Sequence, residues 1–198
     1  MKPNNQYFIL RHGESTRNVE KRASCWPEKI KSPLTEKGIK QIKKAAKELK
    51  KKKIDLIFSS DLLRTKQTAE IVSKEIRVKI KLDKRLREVN VGILNNKPID
   101  EIGRFWDKER KLSPAEHYKK RFKIAPDNGE NYIQLEKRMF DFFKEMEKKY
   151  EGKNILIVSH QRPLTLLEKA VNNYSLEKFI KTVVEKKEIE TGELRKLA

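Results

Sequence analysis

Three short, densely apolar runs constrain the fold more than any other feature of this chain. They are Tyr7-Phe8-Ile9-Leu10, Ile54-Asp55-Leu56-Ile57-Phe58 and Asn154-Ile155-Leu156-Ile157-Val158. A strand with one wet face alternates apolar and polar residues; a run without alternation is buried on both faces. The segments between the runs are amphipathic and of helical length. Ile39, Ile42, Ala46 and Leu49 repeat at helical spacing, and Leu62, Ala69, Val72 and Ile76 share one side of a second segment. Leu135, Met139, Phe142, Phe143, Met146 and Tyr150 form the apolar stripe of a third. Strands alternating with helices predict an α/β fold around a sheet.

Local signals set the boundaries. Thr35 caps the first helix with Glu36 at its positive end. Ser59-Ser60-Asp61 can cap the second, and Asn131 with Gln134 forms a capping box for the third. Residues 78–82 are a further strand candidate, and a helix runs from Pro163 to about Val171 with proline in its first turn. The tail, residues 179–198, reads as a closing strand or hairpin turning at Thr191-Gly192. Residues 92–129 are the least regular part. They hold Pro98, Pro114 and Pro126 with Phe105, Trp106, Tyr118 and Phe122. A connection this long inside a compact domain is most often a lid. Short helices are expected there, over Ile99–Trp106 and residues 115–122. Residues 1–198 form one domain with 92–129 as its lid.

Composition excludes several classes. The single cysteine, Cys25, rules out an intramolecular disulfide and a Cys-rich zinc site. No apolar stretch reaches spanning length, and no signal-peptide core follows Met1-Lys2. The expectation is a soluble, cytoplasmic protein without a membrane partner. The formal net charge of +19 would attract anions such as phosphorylated metabolites or nucleic acid. The blander account is lysine-rich solvated faces. Lys43-Lys44 and Lys50-Lys51-Lys52-Lys53 fall on or just after helix surfaces and lack the interleaved aromatics that stack bases. Nucleic acid is therefore the less favoured partner.

The chemistry-bearing residues gather at strand exits. In an open α/β sheet, ligands bind where strands deliver their carboxyl ends. Arg11 and His12 follow the first strand, Arg64 opens the helix after the second, Glu88 follows a further strand, and His160 follows the last. Gly13 allows a close backbone approach or a positive φ. Each residue alone has a dull explanation: a satisfied strand-end histidine, a surface arginine, or a glutamate paired with Arg85 or Arg87. Four such groups at one sheet edge are harder to dismiss. His117 reads as an ordinary polar residue of the lid.

The pattern resembles the histidine phosphatase superfamily, also called the phosphoglycerate mutase-like family, nearly end to end. Arg11-His12-Gly13-Glu14-Ser15 with Asn18 is similar to its opening signature. Pro33-Leu34-Thr35-Glu36-Lys37-Gly38 with Gln41 resembles the second block. Phe58-Ser59-Ser60-Asp61-Leu62 with Arg64 and Gln67-Thr68-Ala69 resembles the third. Glu88 stands in the acid-bearing segment, Gly129-Glu130 opens the long helix, and Ser159-His160 is the last block. The resemblance implies a three-layer α/β/α sandwich with a mostly parallel central sheet, and chemistry without metal or cofactor. It implies His12 as nucleophile, Glu88 as proton donor, Arg11, Arg64 and His160 as phosphoryl ligands, and Asn18 as an additional ligand.

Those residue types suit the task. Phosphoryl transfer needs positioning and charge neutralisation, which arginine forks supply bidentately. A histidine attacks phosphorus only through an unprotonated nitrogen, and nearby arginines lower its pKa. A hydrogen bond from the other nitrogen to a backbone carbonyl would fix the tautomer. The phosphohistidine splits one displacement into two, with Glu88 as acid and then base.

The family commonly has glycine after its second histidine; Gln161 stands here, where it would narrow the pocket or hydrogen-bond the substrate. Leu94-Asn95-Asn96 likewise departs from the family's aromatic-acid-glycine run. The expected function is a phosphatase acting on small phosphate monoesters. A cofactor-dependent phosphoglycerate mutase is the alternative, although those mutases are generally longer. A basic RNA- or polyanion-binding protein on this fold is a further one.

Overall fold

The computed structural model describes residues 3–107 and 111–197. Strand β1 (Gln6–Arg11) leads through the short α1 (Thr16–Val19) to α2 (Glu36–Leu49), β2 (Leu56–Ser59), α3 (Leu63–Ile76) and β3 (Ile80–Leu82). There follow α4 (Ile99–Trp106), α5 (Pro114–Lys123), α6 (Tyr132–Lys149), β4 (Asn154–Ser159), α7 (Gln161–Val171), α8 (Leu176–Val184) and β5 (Leu194–Lys196). The sheet order is β3-β2-β4-β1-β5. β1, β2, β3 and β4 run parallel, and β5 is antiparallel on the free edge of β1.

Helices cover both sheet faces, which explains the strands without alternation. In β1, Tyr7 and Ile9 enter one core while Phe8 and Leu10 enter the other. In β4, Ile155 and Ile157 join the first core, and Leu156 and Val158 the second. The first core is closed by apolar faces of α6, α7 and α8, the second by those of α2 and α3. The three-layer α/β/α sandwich with a mostly parallel sheet is thus the observed architecture. Each fully buried apolar side chain contributes roughly 1.5–3 kcal/mol, so the cores hold the strand ends in place.

Caps form where polar residues precede the helices. Thr35 accepts from Gly38 N at 3.1 Å. Asn131 and Gln134 exchange side-chain-to-backbone bonds of 2.9 and 2.8 Å. The irregular stretch carries α4 and α5, and Ser113 caps α5 with Glu116 completing a capping box. Among the described residues, no helix is long and apolar enough to cross a membrane.

Three local expectations are corrected. The tail is not a strand throughout: residues 176–184 form α8, capped by Ser175 and burying Phe179, Ile180 and Val183 on one face. Only Leu194–Lys196 joins the sheet, after a turn at Thr191-Gly192. β3 begins at Ile80 rather than Val78, whose carbonyl is taken by Ser73 Oγ at 2.6 Å. The N-cap of α3 is Leu62, which has no side-chain cap, rather than the preceding polar residues.

Gly13 serves close approach, not a positive φ: it is absent from the positive-φ glycines, and a Cβ there would lie 2.5 Å from Gly38 O. A Cβ on Gly38 would in turn meet Glu14 O at 2.1 Å. The two glycines let the loop after β1 press backbone to backbone on the start of α2.

Candidate active site

The register of the central strands builds the floor of the site. Arg11 and Ser159 are partners across the parallel β1–β4 pair, so the next residues, His12 and His160, emerge side by side. Their ring centroids lie 5.2 Å apart, and both residues are buried. Ser60 leaves β2 on the other flank of β4 and reaches His160 Nε2 at 3.0 Å through its hydroxyl.

The partners of His12 dictate its tautomer. Nδ1 lies 2.7 Å from Gly13 O, and a carbonyl can only accept, so Nδ1 carries the proton. Arg64 Nε donates to Nε2 at 3.1 Å, and a guanidinium can only donate, so Nε2 is unprotonated and its lone pair is held by Arg64. Burial pushes the His12 pKa well below the ordinary imidazole value, and Arg64 and Arg11 push it further. Burial outweighs the arginines, whose effect alone was expected from the sequence. His160 is held down by burial first and then by Arg64 and His12. The Ser60 hydroxyl proton has no other acceptor among the described residues, so it goes to His160 Nε2. That leaves the ring proton of His160 on Nδ1, which is buried and has no hydrogen-bond partner.

Arg64 is fixed from behind. Its Nη1 and Nη2 donate to Ser24 Oγ and Ser24 O at 3.1 and 2.9 Å, and Glu28 lies 3.6 Å from Nη1. Arg11 donates from Nη1 to Ile189 O at 3.0 Å, and its Nε is buried without a partner. Asn18 turns its Oδ1 back onto Ser15 N and Oγ at 3.0 and 2.9 Å, which leaves its amide NH2 as the free end. Gln161 is tethered from Nε2 to the same Ile189 carbonyl at 3.4 Å.

Glu88 is not paired with the neighbouring arginines. Arg85 holds Asp83 and Glu145, and Arg87 holds Asp61. One Glu88 oxygen accepts from Val89 N at 2.8 Å, and among the described residues its carboxylate has no ion-pair partner.

All seven residues singled out from the sequence, Arg11, His12, Asn18, Arg64, Glu88, His160 and Gln161, belong to this edge of the sheet. Six of them line one cavity of about 200 Å³; His160 lies beneath it, against His12. Sequence reasoning missed Ser60 and Glu28, which position His160 and Arg64, and also most of the cavity wall. Arg17, Arg22, Arg121 and Arg162 line it together with Arg11 and Arg64, while among the described residues Glu88 is the one carboxylate lining it. Arg162 directly follows Gln161, and that adjacency was the available signal. His117 lies off this lining, half-buried between Trp106 and Tyr118 at centroid distances of 5.5 and 5.7 Å. Among the described residues, no group of three or more His, Cys, Asp or Glu side chains could hold a metal ion.

The arrangement can do phosphoryl chemistry. It offers one unprotonated buried nitrogen, guanidinium forks and an imidazole N–H around it, and one unpaired carboxylate nearby. Comparison with known proteins points the same way. Residues 7–194 match the model of the histidine phosphatase superfamily, branch 1. A probable phosphoglycerate mutase GpmB from Yersinia pestis (strain Pestoides F) is 34% identical over 167 residues, covering 82% of this chain and 72% of that one. The solved structure of YhfR from Bacillus stearothermophilus is 30% identical with a TM-score of 0.73, covering 88% of this chain and 83% of that one. A mycobacterial glucosyl-3-phosphoglycerate phosphatase shares the fold at 21% identity, with a TM-score of 0.78 over 96% of this chain and 90% of its own.

Proposed function

This chain belongs to the histidine phosphatase superfamily, and from that membership and the site geometry we propose that it hydrolyses small phosphate monoesters through a phosphohistidine on His12. The observation that carries the reading is the fixed tautomer of His12. A buried, neutral imidazole with its proton on Nδ1 and an unprotonated Nε2 becomes a nucleophile toward phosphorus once Arg64 Nε turns from Nε2 to a phosphoryl oxygen.

In the first step Nε2 bonds to phosphorus as the ester P–O bond breaks. Arg11 and Arg64 neutralise the equatorial oxygens, with the His160 Nδ1–H and the Asn18 amide as further donors. Glu88, protonated, gives its proton to the leaving alkoxide. In the second step Glu88, now ionised, takes a proton from water. The hydroxide oxygen bonds to phosphorus, the N–P bond breaks, and inorganic phosphate leaves. The cavity of about 200 Å³ lies below the roughly 300–1,000 Å³ of drug-sized pockets, which favours a compact ester. Ile99, Ile102 and Arg121, from residues 92–129, line it, in keeping with that segment acting as a lid.

The Yersinia relative carries a mutase name, and that observation favours a second reading in which the phosphoryl group returns to another position on the substrate. One experiment separates the two. The protein is incubated with p-nitrophenyl phosphate, a panel of phosphorylated metabolites and 3-phosphoglycerate, and both inorganic phosphate and isomer are measured. Release of phosphate from several esters is expected. Rapid conversion of 3-phosphoglycerate to the 2-isomer without phosphate release would overturn the hydrolase reading.

A further inference from the structure

We propose that Asn95 is a positioning residue for Arg64: its side chain fixes the loop that clamps the guanidinium, and so ties the segment 92–129 to the reaction centre. The proposal rests on the phosphatase reading, in which Arg64 serves His12 and then the phosphoryl group. It adds a residue that lies outside the cavity lining.

The clamp is an irregular stretch. Besides His12, the partners of Arg64 are Ser24 Oγ, Ser24 O and Glu28. Residues 23–28 belong to no helix or strand, so no ladder holds them. Yet they hold a buried cation, since Arg64 is only 4% exposed. Glu28 adds a demand of its own. Its Oε2 accepts from Leu63 N at 3.1 Å. Its Oε1, 3.6 Å from Arg64 Nη1, is buried without a hydrogen bond among the described residues. That pairing lasts only while the loop keeps its place.

The backbone groups of the loop find their partners in residues 95–97. Ala23 N donates to Lys97 O at 3.0 Å, and Asn96 N donates to Ala23 O at 3.2 Å. On the other side of Ser24 a single side chain takes over. Asn95 Oδ1 accepts from Cys25 N at 3.1 Å, and Asn95 Nδ2 donates to Cys25 O at 3.4 Å and to Pro27 O at 2.9 Å. A carboxamide accepts and also donates two bonds, whereas a carboxylate of the same shape only accepts. Cys25 Sγ lies 3.6 Å from Asn90 Oδ1, and Trp26 sits over the Arg87 guanidinium at 3.9 Å. Those contacts hold side chains and leave the loop's backbone to Asn95. The Leu94-Asn95-Asn96 run thereby gains a use that the mechanism had not given it.

The consequence falls on the change of partner. Arg64 Nε leaves His12 Nε2 when a phosphoryl oxygen arrives, and Ser24 holds the far end of the fork meanwhile. Without Asn95, Ser24 is no longer fixed, and the fork loses its aim at both His12 and phosphate.

Two readouts that need no turnover test this. In free protein carrying 15N-labelled histidine, the His12 Nε2 signal should move downfield in Asn95→Ala, toward that of an imidazole nitrogen accepting no hydrogen bond. The far-ultraviolet circular dichroism should stay unchanged. Vanadate, followed by calorimetry, should bind Asn95→Ala about tenfold more weakly, the size of one charge-assisted hydrogen bond. In an Arg64→Gln background the same substitution should cost almost nothing, because its effect runs through Arg64. Asn95→Asp keeps the shape and loses both donated bonds; it goes through the same measurements, so the test stands even if the alanine variant fails to fold. An unmoved Nε2 signal, an unchanged vanadate affinity, or a loss of equal size in the Arg64→Gln background would each overturn the proposal. Turnover of p-nitrophenyl phosphate by the wild-type protein is scored separately: its absence would count against the phosphatase reading, whereas the Nε2 signal judges Asn95 in the free protein.

Discussion

At the floor of the cavity, every group in use leaves a strand end or the first turn of the helix that follows, and each has an assigned partner. Gly13 and Arg64 hold His12, Ser60 holds His160, and Ser24 and Glu28 hold Arg64. At the outer wall the groups stand on α5, α6 and the loop after α1. Arg22 and Arg121 have no carboxylate partner among the described residues, and aromatic rings rather than strands back the guanidinium of Arg121. The difference separates two tasks. The floor is over-determined, as a reaction centre must be to keep one protonation state. The wall keeps charge that no carboxylate among the described residues matches.

The largest expected effects test the floor. His12→Ala should lower turnover by roughly ten-thousandfold or more while leaving the circular dichroism spectrum unchanged; retained activity would remove the nucleophile from the account. Glu88→Gln should cost about a hundredfold to ten-thousandfold, most for poor leaving groups, measured as kcat across a series of aryl and alkyl phosphates. An equal loss on all esters would contradict proton donation. Ser60→Ala should weaken vanadate binding roughly tenfold by releasing the His160 tautomer, and Ser60→Thr, which keeps the hydroxyl, should restore it. Unchanged vanadate affinity would make Ser60 a mere neighbour.

Smaller effects concern stability and the wall. His12 and His160 have folded-state pKa values below those of the unfolded chain. Between the two values the unfolded chain binds more protons, so stability rises with pH there. It is fully present above the unfolded value of about 6.5 and is lost as pH falls below it. The urea midpoint should therefore drop between pH 7.5 and pH 5, and a flat profile would contradict neutral buried rings. Cys25 lines the cavity with its thiol pushed up to about 11 by burial. Alkylation by iodoacetamide at pH 7 should be slow and should slow further with bound phosphate; fast alkylation would show the wall to be open to water.

The floor was legible in the sequence because it obeys one-dimensional rules. Tyr7-Phe8-Ile9-Leu10 lacks alternation because both faces are covered, and a parallel sheet places its functional residues directly after such runs. The register that sets His12 beside His160 needs only that their strands be neighbours. The wall was illegible because it joins Arg121 on α5, Tyr132 on α6 and Arg162 on α7 through packing, which leaves no spacing to read. Glu28 was hidden in a polar loop, although it pairs with Arg64 across 36 positions of the sequence. The strand reading of the tail failed because only Phe179, Ile180 and Val183 mark α8, too few for the helical period to stand out.

The most direct test of the central claim is to trap the intermediate. The protein would be mixed with a 32P-labelled monoester, quenched in alkali within milliseconds, digested and mapped. Label stable in alkali and lost in acid is expected on the peptide bearing His12 and absent from His12→Ala. Stable label on another residue, or turnover with no labelled protein at any time, would contradict it.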